Sequence, residues 1–264
     1  MPPAPSPKPP PPTPNKGLGG EFEGRVGEPR SPGPPLKQPH SLRLCVPVVE
    51  TKVARARSRY LRAARKGLWT EIRLDYLEKP DLSKLFRSLP GPVIATNRPR
   101  AEGGRWSGSE ADRRSLLMEA LTYGVHALDA EFSTEAAWRR ELYARRGQTL
   151  LILSWHDFTG TPEPGELEKI FSDLLAQEAD ILKVVTYAHT PADNLRVLSL
   201  IPRARDAGKD IIAFCMGPVG KWSRLAAAFL GSFVTFAPFN PQQASAPGQI
   251  TVNEMRRLWR TLRK

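Results

Sequence analysis

From residue 42 onward, short apolar runs rich in Val, Ile, Leu and Phe alternate with longer segments of helical period. Runs of this length and composition are typical of buried strands. Eight of them are predicted as strands, at 42–49, 70–76, 92–97, 127–132, 149–155, 181–186, 210–216 and 233–238. The segments that follow them are predicted as helices, at 51–66, 81–89, 109–123, 134–145, 163–177, 191–207, 223–230 and 251–262.

Regular alternation of strand and helix favours a parallel sheet with the helices packed outside it. Eight such units fill residues 42–264, which is close to the size of a compact (β/α)8 TIM barrel. A doubly wound open sheet is the alternative, and it usually carries a glycine-rich turn after its first strand. The chain has Val48-Val49-Glu50-Thr51-Lys52 at that point. The sequence therefore predicts a (β/α)8 barrel as the catalytic domain, at 42–264.

Residues 1–41 have a different composition and are predicted to form a disordered proline-rich tail. They hold 14 of the 27 prolines, six glycines and a single aromatic residue, Phe22. Such a segment buries too little apolar surface to offset the entropy cost of ordering. Its run Pro9-Pro10-Pro11-Pro12 is compatible with polyproline II ligands. One alternative function is therefore a basic binding module that docks through this tail.

The net charge of +12 leaves the class of partner open. Its densest basic runs begin at Arg55 and Arg256, and both have the pattern of solvated outer helix faces. No helix-turn-helix, zinc-finger or aromatic-basic RNA signature accompanies them, so we expect no nucleic-acid partner. The absence of an 18-residue apolar run predicts no membrane span. With no secretory or transit signal recognised, a cytoplasmic location is expected.

In a (β/α)8 barrel the active site lies at the carboxyl ends of the strands, and several charged side chains fall there. The most informative is Lys183, which stands among Ile181, Leu182, Val184 and Val185 in the sixth predicted strand. Burial disfavours its charged form and favours a neutral, nucleophilic amine. Such an amine can form an imine with a ketone or aldehyde.

His156 ends the neighbouring strand, where an imidazole could move a proton at the carbon beside that imine. Together, Lys183 and His156 indicate carbonyl chemistry through a Schiff base. The structural alternative is a lysine that is simply paired with a carboxylate, such as Asp129 or Glu131.

Arginines near several strand ends indicate an anionic substrate, because the guanidinium matches a carboxylate or phosphate. They are Arg73, Arg98 and Arg224. The other histidines have no partners at metal-ligand spacing, and no phosphate-binding loop occurs. We therefore expect neither a metal nor another cofactor.

An ordered series of motifs spans residues 44–249, and the chain resembles the type I 3-dehydroquinate dehydratase family through it. The motifs are Glu71-x-Arg73-x-Asp75, Thr96-x-Arg98, Glu102-Gly-Gly, Asp129-x-Glu131, Ser154-x-His156-Asp157-Phe158, Asp180-Ile-x-Lys183, Ser223-Arg224 and Ser245-Ala-Pro-Gly-Gln249. Each motif alone is weak, but their order and spacing are specific.

This resemblance implies the shikimate-pathway lyase that converts 3-dehydroquinate into 3-dehydroshikimate. It implies that Lys183 forms the Schiff base, that His156 is the general acid and base, and that Glu102 orients His156. It further implies a substrate carboxylate held by Arg224, Ser245 and Gln249. The substrate hydroxyls would be held by Glu71, Arg73 and Arg98. A mobile lid at 240–248 and a homodimer are implied as well. A class I aldolase on the same barrel is the other enzyme alternative, since it also needs a lysine imine.

Overall fold

The computed structural model describes residues 42–263. The predicted tail at 1–41 lies outside this part of the chain. Within it, eight parallel strands form one sheet, in the order β7-β6-β5-β4-β3-β2-β1-β8. The strands are β1 Leu44–Val48, β2 Trp69–Arg73, β3 Val93–Thr96, β4 Ala127–Glu131, β5 Leu150–His156, β6 Ile181–Tyr187, β7 Asp210–Met216 and β8 Thr235–Phe236.

The sheet curves until its two ends meet. β7 and β8 are its terminal strands, and the backbone N–H of Phe233, just before β8, donates to the carbonyl of Ile211 in β7 at 2.7 Å. The rings of Phe214 and Phe236 also pack across this junction, with centroids 6.1 Å apart. The result is a nearly closed barrel, so the predicted (β/α)8 architecture is confirmed.

Helices follow the strands around the outside of the barrel. They are α1 Val53–Ala64, α2 Leu82–Phe86, α3 Glu110–Thr122, α4 Ala136–Arg145, α5 Pro164–Leu175, α6 Pro191–Leu198, α7 Leu200–Asp206, α8 Gly217–Gly220, α9 Ser223–Leu230 and α10 Val252–Leu262. Short 3₁₀ turns occur at Leu74–Tyr76, Arg100–Glu102 and Pro241–Gln243. None of the helices described is long and apolar enough to cross a bilayer.

Local sequence explains where these helices begin and which face they bury. Thr251 and Glu254 form a reciprocal capping box at the start of α10. In α1 the buried residues are Ala56, Tyr60 and Ala63, which are spaced four and three positions apart on one helix face. The basic residues of α1 lie on its other faces, as expected from the sequence.

Several predicted elements differ from the structure in their bounds, and two of the differences have a clear local cause. The helix predicted at 191–207 divides at Ser199 into α6 and α7. Pro202 explains this break, because it has no N–H to donate to the carbonyl of Leu198 four residues earlier. The second strand ends at Arg73 rather than Tyr76, and the 3₁₀ turn that follows carries Asp75. This turn brings the Asp75 carboxylate back onto the Arg73 guanidinium.

Candidate active site

An open cavity lies at the carboxyl ends of the strands. Its wall includes the apolar side chains of Val185, Phe214, Met216 and Phe236. The nine residues that the sequence placed in a site all line this cavity: Glu71, Arg73, Arg98, Glu102, His156, Lys183, Arg224, Ser245 and Gln249. The structure therefore brings together residues that are up to 178 positions apart in the chain, since Glu71 and Gln249 share the cavity.

Lys183 lies on β6, pairs in register with Ser154 of β5, and is only 5 % exposed. Its Nζ is 2.7 Å from Oδ2 of Asp129 and 4.9 Å from the centre of the Phe236 ring. The amine thus lines the cavity and at the same time has a carboxylate partner. The pairing with a carboxylate is therefore present, and the reactivity of the amine stays a prediction.

The Asp129 carboxylate belongs to a buried network of charges behind Lys183. Arg98 bonds to Asp129 and to Glu131, each at 2.7 Å, and Arg113 bonds to the other oxygen of Glu131 at 2.6 Å. Burial alone would raise the pKa of Asp129, but the charges of Arg98 and Lys183 outweigh it and hold that pKa well below its usual range. Asp129 is therefore a fixed anion beside the lysine.

His156 ends β5, and its Nδ1 lies 3.0 Å from Oε2 of Glu102. The hydroxyl of Ser133 donates to the other oxygen of Glu102 at 2.5 Å. Burial raises the pKa of Glu102 to about 7, and burial together with the charges of Arg98 and Lys183 holds the pKa of His156 well below its usual value. The contact with Glu102 occupies Nδ1 and leaves Nε2 of a neutral imidazole for the cavity.

Phe158 covers one side of His156, with the two ring planes 22° apart and their centroids 5.9 Å apart. The loop that carries Glu102 passes close to Phe158 at Gly103. Gly103 has a φ of 73°, and a β-carbon there would lie 2.3 Å from the Phe158 ring. Glycine thus allows this loop to place Glu102 against the imidazole.

Arg224 is 1 % exposed and lies on α9 beside the cavity. Its Nη2 donates to the carbonyl of Pro247 at 3.0 Å, and its guanidinium stacks over Phe214 at 4.4 Å. Nε and Nη1 are buried without a hydrogen-bond partner in the part of the chain that the structure describes. Burial lowers the pKa of Arg224 to about 9. A buried cation with two free donors at a cavity wall is a receptor for an anion.

The loop after β8 brings Ser245 and Gln249 to the same wall. The Ser245 backbone N–H donates to the Gln249 side chain at 3.0 Å, and Gln249 Nε2 donates to the Ser245 hydroxyl at 3.1 Å. Gly248 has a φ of 78°, and a β-carbon there would lie 2.4 Å from the carbonyl oxygen of Gly217. Glycine therefore permits the close approach that holds this loop against the end of β7.

Glu71 and Arg73 line the cavity from β2. Thr96 donates to Glu71 at 3.0 Å, and Arg73 makes two hydrogen bonds to Asp75, at 2.8 and 2.7 Å. The backbone N–H of Arg105 also donates to Asp75, at 2.9 Å. These polar groups are held rigidly, and much of the donor capacity of Arg73 is already used.

The comparison with known proteins agrees with this geometry. The family model described as Type I 3-dehydroquinase matches residues 44–264. The chain belongs to the type I 3-dehydroquinate dehydratase family. Dehydration through a Schiff base is characteristic of this family of lyases.

Individual members of the type I 3-dehydroquinate dehydratase family are similar over most of their length. The 3-dehydroquinate dehydratase of Desulfotalea psychrophila is 36% identical over 219 residues, which cover 82% of this chain and 96% of that protein. The crystal structure of the Geobacillus kaustophilus enzyme has a TM-score of 0.76 at 27% identity, over 84% of this chain and 91% of that chain. The Clostridium difficile type I enzyme, whose structure holds covalently modified comenic acid, has a TM-score of 0.73 at 25% identity and covers 84% and 92% of the two chains.

Behind the cavity of this dehydratase lies a buried arginine to which the sequence had assigned no role. Arg113 of α3 is 1 % exposed and links Glu131 to Glu110 near the surface. Its burial was hard to predict from the sequence, because an arginine within a charged helical segment has the pattern of an exposed residue. The Asp129-x-Glu131 motif was visible on β4, but its direct contact with Lys183 and Arg98 required the barrel register.

Proposed function

We propose that the chain dehydrates 3-dehydroquinate to 3-dehydroshikimate in the shikimate pathway. The observation that carries this proposal is the shared cavity of Lys183, His156 and Arg224. It combines an amine for a ketone, an imidazole for proton transfer, and an unpaired guanidinium for a carboxylate. A β-hydroxy ketone with a carboxylate, which is the chemical description of this substrate, needs all three.

In the first step Lys183 releases one proton from Nζ, and the free amine attacks the C3 ketone to give a carbinolamine. The hydroxyl of the carbinolamine takes up the released proton and leaves as water, so that a protonated imine remains on Nζ. This cation withdraws electrons from the neighbouring C2–H bond. The apolar surface of Phe236, 4.9 Å from Nζ, limits competing hydration there.

His156 then takes the C2 proton through Nε2, and the electron pair of that bond forms an enamine. The enamine expels the C1 hydroxyl, which leaves as water with the proton that His156 returns. Hydrolysis of the imine releases 3-dehydroshikimate and the free lysine. Glu102, 3.0 Å from Nδ1 of His156, holds the tautomer whose Nε2 accepts a proton.

Substrate binding follows from the remaining wall residues. The unpaired nitrogens of Arg224 leave donors for the substrate carboxylate. Ser245 adds a donor from the loop at 240–248, which we propose as the lid, and Gln249 adds one directly after it. Glu71, Arg73 and Arg98 are assigned to the substrate hydroxyls. Arg98 already bonds to two carboxylates, so its main contribution is to fix the charges around Lys183.

We also propose that the enzyme is a cytoplasmic homodimer. The apolar side chains of Leu195, Trp222 and Leu230, on and beside α6 and α9, are 63, 43 and 40 % exposed. These side chains offer a face for a second copy. Light scattering after size-exclusion chromatography should give twice the chain mass, and a charged substitution at Leu195 should reduce it to one chain mass.

The proposed reaction is tested by following the ultraviolet absorbance of the conjugated product after adding 3-dehydroquinate to purified protein. Absorbance should rise without added metal or nucleotide. Borohydride added during turnover should leave a covalent adduct on the peptide that contains Lys183, and Lys183→Ala should give neither signal. A flat trace from folded protein over a range of substrate concentrations would contradict the proposal.

A further inference from the structure

Behind the proposed nucleophile, β4 holds a carboxylate for which the reaction scheme above has no role. We propose that Asp129 is a catalytic counter-ion, which keeps the imine on Lys183 protonated during turnover. This inference rests on the proposed Lys183 imine. Beyond that imine, it assigns to the Asp129 carboxylate the control of the charge on the imine nitrogen.

The contact is direct and buried. Oδ2 of Asp129 is 2.7 Å from Nζ of Lys183, and the two residues are 1 and 5 % exposed. The charge on Nζ is the same before and after condensation, because an ammonium and a ketone give a protonated imine and one water. The carboxylate that neutralises the resting ammonium is therefore already in place for the protonated imine.

A counter-ion is needed because imines are weaker bases than amines and this site does not favour a cation. Burial removes Nζ from water, and the face of the Phe236 ring, 4.9 Å away, restores only part of the stabilisation that the cation loses. Charged and titratable groups face the Asp129–Lys183 pair from the strands, strand ends and loops around it: Cys45, Glu71, Arg73, Arg98, Glu102, Glu131 and His156. Asp129 is the carboxylate among these groups with a hydrogen bond to Nζ.

A carboxylate beside Nζ would hinder formation of the enamine if the loss of the charge on Nζ left that carboxylate without a cationic partner. When His156 removes the C2 proton, Nζ becomes uncharged and Asp129 loses one cationic partner. Its other oxygen still accepts from Arg98 at 2.7 Å and from Ser154 at 2.6 Å. No unpaired buried anion results, so the counter-ion can hold both iminium intermediates without blocking the enamine between them.

The decisive comparison is Asp129→Asn against Glu131→Gln. Both variants remove one buried carboxylate that bonds to Arg98 while preserving side-chain size, but only Asp129 contacts Nζ. The first readout is the alkaline limb of kcat against pH. The second is the rate at which cyanoborohydride, which reduces the protonated imine, fixes 3-dehydroquinate onto Lys183.

We expect both alkaline limbs to move to lower pH in Asp129→Asn by about 1 to 3 units, the usual effect of removing an opposite charge at this distance. Glu131→Gln should move them by less than half as much, and Asp129→Glu should restore them toward the wild-type position. Circular dichroism melts establish which variants are folded. Equal shifts in the Asn and Gln variants, or no shift in Asp129→Asn, would overturn the counter-ion.

A further measurement on the wild-type enzyme removes the dependence on folding of the variants. Cyanoborohydride should reduce the enzyme imine up to a higher pH than the imine that the same ketone forms with Nα-acetyl-lysine in solution. Identical pH ranges would overturn the counter-ion while leaving the Lys183 adduct intact. Absence of any adduct in the wild-type enzyme would instead overturn the imine itself, and the counter-ion with it.

Discussion

Replacing Arg224 by methionine should make the ligand-free enzyme more stable and a much poorer catalyst. Arg224 is buried, and two of its nitrogens lack partners in the described part of the chain. The folded protein therefore contains a desolvated cation that no carboxylate of this region neutralises. Methionine fills a similar volume along the Phe214 ring without a charge, and it cannot bind a carboxylate.

The size of the effect follows from the environment of the guanidinium. Burial lowers the pKa of Arg224 from 12.5 to about 9, which corresponds to roughly 5 kcal/mol at 1.36 kcal/mol per unit. Methionine also loses the hydrogen bond to Pro247 and the stacking on Phe214, each worth about 1 kcal/mol. The free energy of unfolding should therefore rise by about 3 kcal/mol, or about 6 to 12 °C in Tm for a domain of this size.

This stabilisation has a defined pH dependence. The pKa of Arg224 is lower in the folded protein than in the unfolded chain, so folding is opposed wherever the side chain is charged in both states. The penalty is complete below about pH 9 and fades as the pH rises from there toward 12.5. The Tm difference between Arg224→Met and wild type should thus be constant around neutral pH and shrink in alkaline buffer.

The assay is a thermal melt of both proteins without substrate, followed by steady-state kinetics. We expect kcat/KM of Arg224→Met to fall about 10²- to 10³-fold, because a buried charge pair with the substrate carboxylate is lost. Arg113→Met is the matched control, since Arg113 is equally buried but bonds to Glu110 and Glu131 at 2.7 and 2.6 Å. That variant should lose about 3 to 5 kcal/mol of stability. A lower Tm and an unchanged KM in Arg224→Met would refute the anion receptor.

Three other predictions concern the nucleophile, the acid-base pair and the lid. Lys183→Ala should lower kcat by about 10⁴-fold or more. It should keep a barrel-like circular dichroism spectrum, because Asp129 remains bonded to Arg98. Turnover at the wild-type rate would contradict the imine. Wild-type kcat/KM should fall below about pH 7, where Glu102 gains a proton and stops accepting from His156, and this limb should be absent from a pH profile of Glu102→Gln. Gly248→Ala should raise KM about tenfold through about 1–2 kcal/mol of left-handed strain and the clash with Gly217, whereas Gly67→Ala, also at positive φ but with open space around it, should leave KM unchanged.

The fold was predictable because burial on both faces makes parallel strands nearly continuous apolar runs. The runs around Leu182 and Ile212 are of this kind and were predicted almost to the residue. The last strand was harder, since the ladder partners of β8 are confined to Thr235 and Phe236. Two of its remaining predicted residues, Phe233 and Ala237, donate single backbone hydrogen bonds to Ile211 of β7 and Cys45 of β1 without extending the ladder. The apolar run in the sequence does not show where such a ladder ends.

The sequence predicted which charged residues stand at the strand ends of the site, but it did not predict which of their side chains contact one another. Sequence spacing placed a charged residue at Lys183, at Asp129 and at Arg98 without saying which would touch. The barrel stagger decides it, because Asp129 lies opposite Ile152 in register and Lys183 opposite Ser154, one pleat further along. A two-residue change in this stagger would move the Lys183 side chain away from Asp129.

The arrangement of charges separates two cations that look alike in the sequence. Lys183 and Arg224 are both buried basic residues on the same cavity wall, yet Lys183 has Asp129 within 2.7 Å and Arg224 has two unpaired nitrogens. The reacting nitrogen carries a positive charge in the resting and iminium states, so a permanent anion beside it serves the chemistry. The binding guanidinium must meet a negative charge that arrives with the substrate, so a resident carboxylate there would compete with it. The substrate carboxylate is therefore expected to bind at Arg224, which has no resident counter-ion. The covalent bond is expected to form at Lys183, which has Asp129 as its counter-ion.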